Sequence, residues 1–255
     1  MNCCKQKKTT DTQDQFYHEQ HKNQTYAYAL EKRTFSIGKK YKMHDVLEIM
    51  HDNSIHAYQT AQMVRKTAPF DYQLQIVALI HDLGCILLKF GLPKWSVIGD
   101  TYVLGCAFPK SCAGIYNEGF NECPDTKEVD YSTKYGVYKR NCGLDKLVLT
   151  YGHAEYLYQV LKRNQSKHKL TDRYMNIIRY HSLYPWHEGG EYRWFMDGEQ
   201  NDAKILDDVN AFKKHISVDG GVDGGGGVDG GVNGAAVRLY FHNLLNLYFP
   251  YELDF

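Results

Sequence analysis

A run of apolar side chains at helical spacing constrains the fold of this chain more than any other feature. Leu74, Val77, Ile80 and Leu83 recur at three-residue intervals, which places them on one face of a helix. Asp71 is positioned to cap the first turn of that helix. Comparable stripes occur over 144–160, 174–178 and 237–247. The pattern predicts an all-α fold, built as a single helical bundle.

The composition favours one domain and excludes several classes of protein. The chain has 255 residues, 43% of them hydrophobic, which is enough for one sizeable core. Thirty Lys and Arg balance 30 Asp and Glu, so no nucleic-acid partner is indicated. The most apolar stretch, Ile76 to Leu88, is interrupted by His81 and Asp82 and is too short and polar to span a bilayer. Without a secretory signal at the N-terminus, we expect a cytoplasmic protein.

Seven cysteines are present, and none forms a CxxC pair. The odd count and the spacing argue against a disulfide framework or a zinc ribbon. Reduced thiols in a cytosolic compartment are therefore expected.

Changes of composition along the chain predict its organisation. Residues 1–35 are polar and lack a clear period, which predicts a poorly ordered segment ahead of a domain over 36–255. Within that domain, residues 91–142 form a predicted long irregular connection, and the Gly-rich tract in 217–236 forms a predicted flexible insert. Helices are expected from about residue 43, over 54–66, from 71, and over 143–164, 172–182 and 236–248.

Several histidines are predicted to point towards the core. His81 and His181 continue the apolar faces of their helices, whereas His153 and His56 have weaker support. One inward histidine alone is most simply a core residue that hydrogen-bonds a backbone carbonyl. Several on separate helices, with Asp82 directly after His81, instead favour a metal centre inside the bundle. Imidazole and carboxylate together suit iron, manganese or zinc.

Six short words of sequence surround these residues. They read HAYQTA from residue 56, LIHDLG from 79, PKWSVIGDT from 93, NCGLD from 141, YGHAEY from 151 and RYHSLYPWH from 179. The spacing of His56 and His81-Asp82 is similar to the opening of the HD superfamily pattern. All six words, in this order, closely resemble the inositol oxygenase family, from about residue 54 to 212 and again weakly from 237.

The resemblance implies an HD-type helical fold that holds two iron ions. His56, His81 and Asp82 would bind one iron, and Asp82 would bridge to the second, whose other protein ligands would be His153 and His181. The implied reaction cleaves the ring of myo-inositol with O2 as co-substrate and gives D-glucuronate.

The resemblance also implies which residues contact the polyol substrate. They are Cys85, Gly99, Asp100, His181 and Ser182. No organic cofactor and no catalytic side chain beyond the di-iron centre are implied. The expected partner is the small polyol alone, without nucleic acid or membrane, and the chain is expected to be a monomer.

Two positions depart from the family pattern in the site itself. Cys85 stands where the family has a lysine that contacts the substrate, and a thiol supplies no cationic donor. Ile216 stands where the family has a late aspartate ligand. These departures keep open an alternative, a catalytically inactive relative that retains the fold and part of the metal site. An HD phosphohydrolase is less favoured, because the words around His153 and His181 match the oxygenase.

Overall fold

A computed structural model describes residues 11–111, 117–198, 200–217 and 234–255 of the chain. Within these residues it contains twelve α-helices and one two-stranded sheet, which confirms the all-α class. The α-helices are α1 (Asp11–Asn23), α2 (Tyr26–Lys32), α3 (Met43–Ile49), α4 (His51–Thr67), α5 (Tyr72–Ile80), α6 (Lys94–Val97), α7 (Asn117–Glu122), α8 (His153–Arg163), α9 (Asp172–Tyr180), α10 (Tyr184–His187), α11 (Gln200–Ser217) and α12 (Ala235–Tyr248). The strands are β1 (Lys40–Tyr41) and β2 (Leu253–Asp254), and 3₁₀ helices span Leu83–Phe90, Pro124–Lys127, Val129–Tyr131, Leu144–Lys146, Gln165–Lys167 and Arg193–Phe195.

Helix α5 lies at the centre of the bundle. Every side chain from Leu74 to Ile80 is buried, and the side chain of Asp71 caps the helix by accepting the Leu74 N–H. Helices α4, α9 and α12 pack against α5, and α11 packs against α4 and α9. The hydrophobic core therefore surrounds the helix whose C-terminal end carries His81 and Asp82.

The helix α5 and the 3₁₀ helix after it form one apolar segment, Tyr72–Phe90. Among the described residues this segment alone is long and apolar enough to cross a membrane, and 72% of its most apolar window is buried inside the protein. It is longer than the stretch over 76–88 singled out in the sequence. Its burial is that of a core helix in a folded domain.

The segment over 1–35 differs from the prediction. Residues 11–23 and 26–32 form helices, and Gln20 and His21 of α1 and Gln24 directly after it are fully buried against the rest of the domain. Residues 11–32 are therefore more ordered than the polar composition suggests, since Gln20 and Gln24 bond backbone groups and such polar side chains leave no apolar period to detect. Residues 1–10 lie outside the described residues.

The helix predicted over 143–164 is shorter than expected. A 3₁₀ turn occupies Leu144–Lys146, and the chain is then extended up to the N-cap of α8 at Gly152. The extended part pairs with the segment near Val103, since the Leu104 N–H donates to the Val148 carbonyl and the Thr150 N–H donates to the Tyr102 carbonyl. Tertiary pairing has overridden the apolar period.

Other expectations vary in outcome. The connection over 91–142 contains α6, α7 and two 3₁₀ helices among its described residues, so it is less irregular than predicted. Helix α11 is not among the predicted helices, and it is the next helix after the 3₁₀ turn at Arg193–Phe195. The Gly-rich insert predicted within 217–236 lies almost wholly outside the described residues.

Candidate metal centre

Three helix ends deliver the central residues of the site. His81 caps the C-terminus of α5 and Asp82 follows in the turn, His153 begins α8, and His181 caps the C-terminus of α9. A side chain at a helix end is not confined to one face of the helix, so imidazoles from separate helices can converge on one point. Gly84 allows the approach of the first segment to α8, because an added Cβ would lie 2.0 Å from the His153 carbonyl oxygen.

The three imidazoles converge on one carboxylate. The Nε2 atom of His81 lies 3.3 Å from Asp82 Oδ2. The Nε2 atoms of His153 and His181 lie 3.4 Å and 3.6 Å from Asp82 Oδ1. The ligating atoms of His81, Asp82 and His181 all lie within 4.8 Å of one another. Each carboxylate oxygen therefore faces its own set of imidazole nitrogens.

Backbone carbonyls orient all three rings. The Nδ1–H groups of His81, His153 and His181 donate to the carbonyls of Ala78, Val97 and Ile178, at 3.0, 3.1 and 2.7 Å. A carbonyl only accepts, so Nδ1 carries the proton and the lone pair of each neutral ring is on Nε2. Metal-ligating histidines are fixed in this way by a second hydrogen bond.

Burial favours neutral rings at two of the three positions. It lowers the pKa of His81 to about 4 and lowers the pKa of His181 as well. Burial also acts to lower the pKa of His153, but the adjacent Asp82 carboxylate outweighs burial and the pKa is raised. Burial alone would raise the pKa of Asp82, yet the surrounding rings of His81, His153 and His181 hold it well below its usual range. Neutral imidazole with ionised carboxylate is the form that binds metal ions.

The donor set fits a metal centre. Bonds of about 2.0–2.2 Å from one ion to an imidazole nitrogen and a carboxylate oxygen can span the N···O gaps of Asp82 with its three histidines. Nitrogen and oxygen ligands without thiolate suit iron, manganese or zinc. The Asp82 side chain is 44% exposed between imidazoles that are 6–12% exposed, so a ligand can reach the carboxylate, and we refer to this opening as the recess.

Two predicted substrate-contact residues adjoin this recess. The Ser182 hydroxyl lies 3.0 Å from His181 Nε2 and donates to its lone pair. Cys85 is buried, and both burial and the charge of Asp82 raise the pKa of its thiol. A protonated thiol offers only a weak hydrogen-bond donor at this point.

Two further positions are expected near the metal, His56 and Ile216. His56 lies apart from this cluster, and the side chain of Ile216 is not among the described residues. His56 lies in the first half of α4 and is exposed, and among the described residues its ring makes no contact with Asp82 within 4 Å. The backbone at Ile216 belongs to the last turn of α11, but its side chain lies outside the described residues. The cluster as described therefore consists of three histidines and one aspartate.

Helix α1 holds the predicted substrate residues Gly99 and Asp100. The Gln20 amide donates to the Asp100 carbonyl (2.8 Å) and accepts its N–H (3.0 Å). His21 Nε2 lies 3.5 Å from Asp100 Oδ2, and both side chains are buried. We call the two hydrogen bonds between the Gln20 amide and the Asp100 backbone the Gln20 clamp. Gly99 has a φ of +128°, and a Cβ there would lie 2.4 Å from the Gln20 amide oxygen, so the clamp requires glycine at this position.

Sequence reasoning missed Gln20, His21 and a buried lysine, Lys213, near the cluster. No periodic signal marks these residues, because each is a single polar side chain among other polar residues of its helix. Only the folded arrangement identifies them.

Comparison with known proteins gives a consistent result. The sequence model of a family described as Myo-inositol oxygenase matches residues 10–255, a range that includes α1 and α2. The chain is similar to inositol oxygenase of Rattus norvegicus, 38% identical over 209 residues that cover 76% of this chain and 72% of the relative. For inositol oxygenase of Homo sapiens the identity is 41% over 162 residues, 64% of this chain and 55% of the relative. For inositol oxygenase 2 of Arabidopsis thaliana it is 35% over 260 residues, 94% of this chain and 77% of the relative. The chain thus matches just over half the length of some of these proteins.

Proposed function

Because the chain belongs to the myo-inositol oxygenase family, we propose that it is a non-haem di-iron oxygenase that cleaves the ring of myo-inositol with O2. The observation that carries the proposal is that the Nε2 atoms of three histidines lie 3.3–3.6 Å from the two oxygens of one carboxylate, that of Asp82. The reaction is a four-electron oxidation in which C6H12O6 and O2 give glucuronic acid, C6H10O7, and water. One C–C bond of the ring is broken and no organic cofactor takes part.

The proposed ligand sets follow the two faces of the Asp82 carboxylate. His81, on the Oδ2 side, would bind one iron together with His56 of α4. His153 and His181, on the Oδ1 side, would bind the other, and Asp82 would bridge the pair. Two bound irons would supply the redox chemistry with O2 and acidify coordinated hydroxyl groups.

The protein would orient and enclose the substrate. The carbonyl-fixed rings hold their lone pairs towards the recess, which reduces the reorganisation needed on metal binding. Ser182, buried beside His181, has a hydroxyl suited to a polyol oxygen, and Asp100, whose backbone is held by Gln20, has a carboxylate suited to a polyol O–H. Gly99 and Cys85 would add a backbone contact and a weak thiol donor. Because no side chain among these is needed to transfer more than a proton, the metal pair remains the proposed catalytic centre.

The proposal is tested by adding Fe(II) to the purified full chain without oxygen. Iron per chain is measured by mass spectrometry, and glucuronate formed from myo-inositol is measured after O2 is admitted. We expect two irons per chain and O2-dependent glucuronate. Two bound irons without glucuronate would favour the catalytically inactive relative, and failure to take up iron would overturn the proposed centre.

A variant pair assigns the metal to Asp82. Asp82→Asn removes the charge shared by both ligand sets, so iron affinity should fall by at least about 10- to 100-fold, the range seen even for outer-shell changes. Asp145→Asn is the matched control, because Asp145 is exposed and, within the described residues, its ion pair is with its exposed neighbour Lys146. Equal iron uptake by the two variants would contradict the assignment.

The remaining expectations belong to the same proposal. A cytoplasmic monomer that acts on a small polyol is supported by the formal charge balance and by the burial of the apolar segment Tyr72–Phe90. Sedimentation of the iron-loaded protein tests the oligomeric state, and a dimer at micromolar concentration would overturn it.

A further inference from the structure

Helix α11 forms one wall of the metal cluster. The Phe212 ring lies edge-on to the His81 ring, with centroids 5.7 Å apart at 75°. Phe212 is fully buried, so this contact fixes the rotation of α11 about its axis. The next residue, Lys213, is also buried.

Lys213 is a buried cation with a neutral partner. It is 9% exposed, and its Nζ donates to the Tyr184 hydroxyl at 2.6 Å and lies 4.3 Å from the centre of the Tyr184 ring. The Tyr184 ring in turn lies 5.0 Å from His187, which donates from Nε2 to the His181 carbonyl at 3.0 Å. Lys213 is therefore connected through Tyr184 and His187 to the backbone of His181, a residue of the cluster.

The ammonium group retains unused hydrogen-bonding capacity. It has three donors, of which one is used, and within the described residues no carboxylate lies within 4 Å of it. Burial lowers its pKa, and the charges of Glu188 and Asp82 oppose that effect. The lysine is thus within electrostatic reach of Asp82 without touching it. A gap of this kind between a buried donor and a carboxylate is suited to an oxygen-bearing ligand.

We propose that Lys213 is a substrate-binding residue that donates to a hydroxyl oxygen of the polyol held over Asp82. The inference rests on the proposed function and adds to it a cationic contact from α11. An ammonium at this point favours an oxygen that gains negative charge, since charge-assisted hydrogen bonds are the stronger ones. It also selects for ligands that present a hydroxyl towards α11, because a ligand without it leaves the buried donors unsatisfied.

The alternative is a structural role, in which Lys213 only joins α11 to Tyr184 of α10. The two roles predict different effects of removing the charge. A buried cation with one neutral partner contributes little to stability, and an apolar side chain of similar length is tolerated there. A structural lysine would instead lower stability on removal and leave ligand affinity unchanged.

The test uses Lys213→Met in the iron-loaded full chain, with Lys214→Met as the matched control, because Lys214 is the exposed neighbour on α11. Calorimetric titration with myo-inositol in the absence of O2 measures Kd without turnover. We expect Kd to rise about 10- to 100-fold in Lys213→Met, the range for a lost hydrogen bond to a charged group, and to stay constant in the control. Urea unfolding should show equal or higher stability for Lys213→Met. Lys213→Gln keeps a donor to Tyr184 without the charge, and it should lose affinity as well.

The outcomes separate the two proposals. Wild-type turnover with unchanged inositol affinity in both Lys213 variants overturns the role of Lys213 and leaves the proposed function intact. Lower stability with unchanged affinity identifies the structural role. A wild-type chain that takes up iron but neither binds nor oxidises myo-inositol overturns the proposed function and this inference together.

Discussion

The Gln20 side chain shows how one amide can order a loop of the site. Its two ends complete hydrogen bonds with the N–H and the carbonyl of Asp100, in the manner of a paired strand. The same carbonyl also accepts the Thr150 hydroxyl at 3.1 Å. Gln24, one turn later, bonds Tyr151 in the same way. Its amide accepts the Tyr151 N–H and donates to the Tyr151 carbonyl. Gln20 of α1 and Gln24 directly after it thus fix the two chain segments that lead to Asp100 and to His153.

Gln20→Met tests this clamp. The change keeps the length of the side chain and leaves the Asp100 N–H without its partner, so the free energy of unfolding should fall by about 1–3 kcal/mol. Urea unfolding monitored by circular dichroism measures the loss. Gln15→Met is the control, because Gln15 is exposed on the same helix and should change stability by no more than about 0.5 kcal/mol. Equal stability of the two variants would show that the clamp is not needed.

The residues of the cluster differ in how far sequence could identify them. His81, Asp82, His153 and His181 stand in words specific enough to predict that they meet, and the structure brings them together. Lys213 could not be predicted, because a lysine on a helix is ordinarily solvated and nothing in the sequence marks it as buried. The exposed position of His56 likewise depends on how α4 rotates against α5, which the apolar pattern does not fix to within one residue.

Helices α8 and α9 are joined by an ion pair one layer behind the imidazoles. Arg179 donates from Nε to Glu155 Oε2 at 2.8 Å and from Nη2 to Oε1 at 3.3 Å, and both side chains are about 5% exposed. Each residue lies two positions from an imidazole of the cluster. The pair therefore sets the spacing of the helices that carry His153 and His181.

Arg179→Met should destabilise the protein by about 3–5 kcal/mol, because it leaves the Glu155 carboxylate buried and unpaired. Arg173→Met is the control on the same helix. Arg173 pairs with Asp208 in a bidentate geometry but is half exposed, and such pairs contribute about 0–1 kcal/mol. The free energy of unfolding in urea measures both.

A double variant separates the charge from the packing. Glu155→Leu combined with Arg179→Met removes both charges and should recover most of the lost stability, since a buried pair is often replaceable by apolar side chains. If the double variant is no more stable than Arg179→Met alone, loss of packing rather than the unpaired charge explains the effect.

Elements were predictable where apolar side chains face one core and less so where the chain pairs with a distant segment. The centre of α5 has the strongest apolar stripe, and this stripe predicts the start of the helix to within a few residues of its observed position. The segment before α8 has a similar stripe, yet it is extended, because its backbone pairs with the segment around Val103. Such a partner lies more than forty residues away and leaves no mark in the local pattern.

At the scale of the whole molecule, the end of the described chain closes the bundle. Strand β2 pairs antiparallel with β1, so that Lys40 faces Asp254. The Phe255 side chain is fully buried, and its N–H and carbonyl bond the backbone at Lys39 and Gly38. Asn164, at the end of α8, bonds the backbone of Asp254 from both sides. Neither two-residue strand has a detectable alternation, and so the sequence could not predict this closure.

The same region contains a histidine that links global stability to pH. His168 Nδ1 accepts the Leu170 N–H at 3.2 Å, and its Nε2–H donates to the Leu161 carbonyl at 2.9 Å. The neutral ring is therefore fully bonded, and protonation of Nδ1 would break the bond to Leu170. The ring also lies 5.3 Å from Phe249, which follows α12. Burial lowers the pKa of His168 in the folded state.

The sign of the effect follows from that direction. The unfolded chain, with the ordinary histidine pKa of about 6.5, binds the proton first as the pH falls. Stability is therefore complete above that value and is lost as the pH falls from it towards the lowered folded pKa. In His168→Asn this loss is absent, although the variant is less stable at pH 7.5 by about 0.5–1.5 kcal/mol because it loses the bond to Leu161. Urea unfolding from pH 7.5 to 5.0 should show the difference between wild type and variant narrowing.

Val160→Ala supplies the reference for this series. Its buried side chain cannot titrate, so its deficit, set by the cavity it leaves, should stay constant over the same pH range. Other histidines affect the pH profiles of all three proteins equally, and they cancel in the differences. A constant difference for His168→Asn as well would mean that the folded protein accepts the proton without losing the Leu170 bond, and the coupling between this ring and the closure of the bundle would be rejected.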